Sequence, residues 1–334
     1  MAQPRIALVL GGGGARALAH VGVLEVLERT GLSPALFVGT SMGGVVAALA
    51  AAGHSSSEIH ELSRSIRFPR WFIPGGLVTW DRIFGKVGRA LAGHTFESLE
   101  RPLAVVSVDL EAGRQVVHHL GPLVPALRAT CAVPGVLPPV EADGRWLVDG
   151  ALVNSLPVDV ASMFEPDLVI AARAGGHGHR KVPSLRRPWS AFLGRVAQLV
   201  PNPMSAMVGF EVLVRSAEIA LDRQGTLAAA MVEPSVLVDA DVADIGLRDF
   251  HRLDEVVAAG RRAAELALPR LQRALNAVEA KPATPGQRVV DVDPVCDMVV
   301  NPASSAAAVS DGARTYYFCS LTCRDAFLRR RRSS

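Results

Sequence analysis

The segment best equipped for chemistry is Gly39-Thr40-Ser41-Met42-Gly43. It follows an apolar strand pattern and precedes a helical one. A serine in that setting sits on a strained turn, and Gly39 and Gly43 leave room for the backbone to fold tightly around it. The amino end of the following helix points at the reacting atom and favours developing negative charge. A hydroxyl so placed suits acyl transfer; the plainer alternative is a glycine-rich connection with a packing serine. Upstream, Gly11-Gly12-Gly13-Gly14-Ala15-Arg16 follows another apolar run. Bare amides there suit an anion. The loop lacks the Gly-Lys-Ser/Thr ending of a phosphate-binding loop and the third glycine of a dinucleotide fingerprint. An oxyanion hole for the downstream serine is therefore favoured, with Arg16 carrying charge or fixing the loop. Asp149, before Gly150, ends a strand pattern, where a carboxylate is either a turn residue or a base.

These residues need a frame that brings strand ends together. Residues 6–10 and 36–38 read as strands, and 16–29 and 45–52 as helices, in the alternation of a parallel sheet. Helices are expected over 56–67, 81–92 and 123–131. Residues 103–110 and 114–119 alternate as a hairpin, and 146–148, 168–172 and 236–238 are short strands. Residues 188–221 and 253–275 are helical by pattern. The expectation is a three-layer α/β/α domain with a mainly parallel central sheet over residues 1–278, a linker over 279–290, and a small module over 291–330. In such sheets sites form at the carboxyl ends of neighbouring strands, where both glycine-rich turns fall.

Taken in order, Gly12-Gly13-Gly14-Ala15-Arg16, Gly39-Thr40-Ser41-Met42-Gly43 and Asp149-Gly150-Ala151 resemble the three motifs of the patatin-like phospholipase family. The stretch Ala129-Thr130-Cys131-Ala132-Val133-Pro134-Gly135 and Leu156-Pro157-Val158 are similar to its bacterial members, and the likeness runs from about Arg5 to Leu275. Ala17 stands where the family usually has glycine. The resemblance implies a Ser41–Asp149 dyad without histidine, an oxyanion hole from the amides of Gly12, Gly13 and Gly14 aided by Arg16, and a phospholipid or lysophospholipid ester as substrate. Hydrolysis would need no cofactor. A Ser–His–Asp site is the rival mechanism, with His177, His179 or His251 as base. His20 reads as helix packing and Cys131 as a small core residue.

Three of the four cysteines fall in the last forty residues. Asp293-Pro294-Val295-Cys296-Asp297-Met298, followed by Tyr316-Tyr317-Phe318-Cys319-Ser320-Leu321-Thr322-Cys323, resembles a YHS domain, a treble-clef-like metal-associated module. Cys296, Cys319 and Cys323 would suit zinc or copper(I), with a fourth ligand not evident in the sequence.

The chain has 334 residues, 49% hydrophobic and 20% charged, with net charge +3. That balance supports a large core and at most weak attraction to anionic surfaces; nucleic acid is not expected as a partner. No apolar run approaches the roughly 20 residues of a spanning helix, and the N-terminus does not read as a signal peptide. A cytoplasmic location is expected, with peripheral contact to a membrane face. Residues 70–77, with Trp71 and Phe72, and 188–200, with Trp189 and Phe192, are the candidate lips for that contact. A rival reading from another class is a metal-responsive lipid-surface sensor with a vestigial hydrolase site.

Overall fold

The computed structural model describes residues 4–66, 79–175, 203–232, 234–280, 291–295, 299–300, 302, 305–310, 314–318 and 321–332. Both candidate lips, His177 and His179, and Cys296 and Cys319 lie outside these residues.

Five strands form the parallel heart of an eight-stranded sheet: β1 (Ile6–Leu10), β2 (Leu36–Thr40), β3 (Leu103–Asp109), β7 (Leu168–Gly175) and β8 (Val236–Asp241). Their order is β3-β2-β1-β7-β8. β4 (Arg114–His118) and β6 (Arg145–Asp149) each pair antiparallel with β3, and β5 (Val140–Ala142) pairs with β6. The parallel strands are short apolar runs because helices cover both faces. Along β1, Ile6, Leu8 and Leu10 enter one core layer while Ala7 and Val9 enter the other. The first layer holds α1 (Ala19–Arg29), α2 (Met42–Ala51), α4 (Trp80–Ala90), α5 (Leu123–Thr130) and α8 (Leu253–Glu279). The second holds α6 (Val158–Met163) and the end of α7 (Pro203–Val232). This is the expected three-layer α/β/α architecture.

Glycines let two helices of the first layer touch. A side chain at Gly22 of α1 would collide with the Val257 carbonyl of α8, and one at Gly260 of α8 with the Ala19 carbonyl of α1. α3 (Ser56–Arg64) begins with a capping box, in which Ser55 and Glu58 satisfy each other's backbone amides.

Two elements differ from expectation. The segment after the glycine loop opens as a 3-10 turn (Gly14–Leu18) before α1, with the Arg16 N–H bonded to the Gly13 carbonyl and the Ala15 N–H satisfied from outside by the Leu247 carbonyl. α7 runs on to Val232 rather than ending at Leu221. Asp222-Arg223-Gln224-Gly225 breaks the apolar periodicity there, yet Asp222 and Gln224 turn toward the domain and bond Arg16 and the Leu152 carbonyl.

Beyond residue 290, β9 (Asp291–Val292) pairs antiparallel with β10 (Val299–Val300), and β11 (Ala307–Ser310) with β12 (Thr315–Phe318), ahead of α9 (Leu321–Arg332). Tyr316 and Phe318 pack on Phe327 at ring-centroid distances of 4.9 and 5.3 Å. Cys323 lies partly buried on α9.

Candidate active site

Ser41 is the turn residue between β2 and α2. Its φ of 55° and ψ of −131° fall where a non-glycine residue stays only if its surroundings hold it. Those surroundings are specific. The Ser41 N–H donates to Thr130 Oγ1 at 2.8 Å, and the Thr130 hydroxyl donates in turn to the Val106 carbonyl. Thr40 Oγ1 donates to the Asn154 carbonyl at 2.9 Å. A Cβ at Gly39 would come within 2.6 Å of Gly44 Cα, and one at Gly43 would collide with the carbonyls of Leu10 and Gly11. Both glycines of the turn are thus required by close backbone approach, as the motif demands.

Sheet register delivers the carboxylate. Thr40, the last residue of β2, lies opposite Val106, and Asp149, the last residue of β6, lies opposite Ser107. The two strands therefore end at adjacent residues of β3. Ser41 Oγ donates to Asp149 Oδ2 at 2.6 Å, and the Ala151 N–H donates to Asp149 Oδ1 at 2.8 Å. Both side chains are buried. Burial pushes the Asp149 pKa up to about 7, against the opposing pull of the Ser41 and Ala151 hydrogen bonds. A carboxylate with that pKa can accept a proton and return it near neutrality. The Cys131 thiol lies in the same pocket; burial, then the neighbouring Asp149 charge, pushes its pKa well up, so it stays protonated and unreactive.

The glycine loop packs against this pair, but its amides are not equivalent. Gly11 N–H donates to the Ala172 carbonyl at 3.0 Å and Gly12 N–H to the Ser155 carbonyl at 2.8 Å. The Gly12 amide is thus already engaged, which corrects its expected part as a donor. Its smallness is what the site uses: a Cβ there would lie 3.2 Å from Ala151 Cβ and 3.5 Å from Ser41 Cβ. The amides of Gly13 and Gly14 have no acceptor among the described residues. Both adopt positive φ, 148° and 54°, in the left-handed region that favours glycine.

Arg16 is 2% exposed. Its NH1 lies 3.4 Å from Asp222 Oδ2 on α7, and its Nε has no partner among the described residues. His20, expected as helix packing, is buried and also structural in a second sense. Its Nε2 is 2.8 Å from the Gly11 carbonyl, and burial pushes its pKa down to about 4, so a neutral ring donates to the loop. The rival base His251 is exposed in the turn Phe250–Arg252, and among the described residues no histidine bonds Ser41 or Asp149.

Thr130, Ser155, Asp222 and Leu247 were not legible as site residues. Thr130 offers a signal, a buried hydroxyl at the end of a helix whose other buried residues are apolar. Leu247 acts through its carbonyl, which its side-chain type does not reveal.

The patatin-like phospholipase family profile matches residues 8–162. An uncharacterized NTE family protein of Mycobacterium tuberculosis is 36% identical over 180 residues, covering 52% of this chain and 50% of that protein. A second from the same organism is 31% identical over 284 residues, covering 79% of this chain and 46% of its own length. Patatin-like phospholipase domain-containing protein 6 of Mus musculus is 35% identical over 182 residues, covering 51% and 13%. The chain spans half or less of the length of these curated relatives. The matched residues take in the glycine loop, the Ser41 turn and Asp149 together, and over residues 8–162 the chain is similar to the patatin-like phospholipases.

Proposed function

We propose that this protein is a lipid acyl hydrolase that cleaves the ester of a phospholipid or lysophospholipid with Ser41 as nucleophile and Asp149 as base. The observation that carries the reading is the 2.6 Å hydrogen bond from a strained, buried serine to a buried carboxylate with a raised pKa. Asp149 takes the Ser41 proton as Oγ attacks the ester carbonyl. The Gly13 and Gly14 amides, without other acceptors among the described residues, receive the oxyanion of the tetrahedral intermediate. Asp149 then returns the proton to the leaving alcohol. Next it activates the water that hydrolyses the acyl-enzyme, and the enzyme is regenerated. Arg16 and His20 fix the loop that carries these amides and do not touch the reacting atoms in this scheme.

The test is hydrolysis of a panel of phospholipid, lysophospholipid and short-chain acyl esters by wild type, Ser41→Ala and Asp149→Asn, with fluorophosphonate labelling alongside. Wild type is expected to turn over and to be labelled, and Ser41→Ala to do neither. Labelling that survives Ser41→Ala, or turnover by Asp149→Asn within a few fold of wild type, overturns the assignment.

A further inference from the structure

α7 is a 30-residue helix with two unlike sides. At 100° per residue, Glu218, Leu221, Asp222 and Gly225 share the side that faces the domain. Three of them reach the glycine loop, each by a different route. Asp222 pairs with Arg16. The Leu221 carbonyl accepts from Ser155 Oγ at 3.0 Å, and the Ser155 carbonyl accepts the Gly12 N–H. Glu218, buried and paired with Arg215 at 2.8 Å, accepts from Leu247 N–H at 3.4 Å, and the Leu247 carbonyl accepts the Ala15 N–H. Gln224 Nε2 donates to the Leu152 carbonyl at 2.7 Å, three residues after Asp149. The inner side of α7 is thus fastened to both backbone segments that form the candidate site.

Among the described residues, the outer side is apolar and exposed. Val212, Ile219, Ala220, Leu227, Ala230 and Met231 are exposed, Leu227 at 60% and Met231 at 82%. They fall in an arc of about 120°, spread over roughly 28 Å of helix axis at 1.5 Å per residue. Ser216, Thr226 and Arg223 complete that side, so the charge exposed on it among the described residues is a cation. The acidic residues Glu218 and Asp222 point inward. The apolar surface continues at Leu152 and Val153, 42% and 45% exposed, beside the Gln224 contact.

We propose that the outer face of α7, with Leu152 and Val153, docks on an anionic lipid surface and so sets the candidate site against the bilayer. The inference rests on the reading of the protein as a lipid acyl hydrolase and names the surface through which that site meets its substrate. A single outward cation on an apolar face fits an anionic interface, where apolar side chains enter the headgroup boundary and arginine meets phosphate. A helix fastened to the glycine loop would hold that loop at a fixed distance from the lipid.

The experiment is cosedimentation of the full chain with phosphatidylcholine vesicles, with and without phosphatidylglycerol. It compares wild type, Ile219→Glu/Leu227→Glu and Arg223→Glu. Hydrolysis of a water-soluble short-chain ester is measured in parallel. The double variant is expected to lose roughly tenfold or more in partitioning to phosphatidylglycerol vesicles and to keep soluble-ester turnover within about twofold. Arg223→Glu should reduce binding to anionic vesicles and leave binding to neutral ones unchanged. Unchanged partitioning of the double variant overturns the docking face. So does a wild-type oligomer, seen without vesicles and dissolved by the double variant, because a second copy then covers the face. Wild type that binds vesicles through this face but cleaves no ester would instead sink the hydrolase reading and leave the docking face standing.

Discussion

A carboxyl group buried as Asp149 is resists ionisation, and that resistance links turnover to stability. Its pKa of about 7 predicts that kcat/KM on a soluble ester rises with pH through about 7 as the base form appears. Asp149→Asn should lose roughly 10²–10⁴-fold in kcat and lose that titration limb. The stability effect has a definite sign. Between about pH 4 and pH 7 the folded state holds a proton that the unfolded chain releases, so this group's contribution falls as pH rises through that window. Above it the ionised, buried carboxylate is a liability of up to about 4 kcal/mol, three pKa units at 1.36 kcal/mol each. Asp149→Asn should therefore melt higher than wild type at about pH 8, and the gap should shrink toward about pH 4. A gap independent of pH would mean that the carboxylate is not buried as described. Thr130 belongs at this scale too. Thr130→Val removes the acceptor for the Ser41 N–H and the donor to Val106, and should cost about 1–3 kcal/mol in chemical denaturation. It should also lower kcat with little change in KM, because the strained turn would no longer be held. Ser41, Asp149 and the glycines could be read in the sequence because their chemistry is written in side-chain type and short spacing. Thr130 and the engaged Gly12 amide could not, since both depend on which strand end meets which helix end.

Among the elements, the parallel core was readable because each strand is a short apolar run closed by glycine or a turn. β5 leaves no mark in the sequence because it is three residues long and half-exposed. The apolar periodicity of α7 stops before the helix does, because Asp222 and Gln224 turn toward the domain and not toward water. Asp222→Asn removes the charged partner of a buried arginine, where an unbalanced charge is costly. It should lower kcat severalfold while leaving KM on a soluble ester near wild type, and Asp222→Glu should restore part of the loss. Equal loss in both variants would point to mere packing. The α1–α8 crossing gives a second test. Gly260→Ala places a methyl against the Ala19 carbonyl, at the start of the helix that carries His20, and overpacking of this kind typically costs about 1–3 kcal/mol. A lowered melting temperature with turnover preserved at low temperature is the expected pair of results.

For the molecule as a whole, the eight-stranded sheet is complete without anything beyond residue 280. Among the described residues, β9 to β12 pair with one another, with an aromatic cluster of Tyr316, Phe318 and Phe327 as a small core, and β10 touches the main domain at α6. Deleting residues 281–334 should leave a soluble domain that melts within a few degrees of the full chain and keeps soluble-ester turnover, checked by calorimetry and assay. An insoluble truncation would show that the last segment is part of the same cooperative unit. β2 and β6 finish head to head on neighbouring residues of one strand. A slip of β6 by a single residue would send the Asp149 side chain through to the opposite face. On the proposed mechanism, esterase turnover would be a stringent reporter of correct folding: a collapsed chain with its helices formed but this one pairing misaligned would look native by circular dichroism and be catalytically silent.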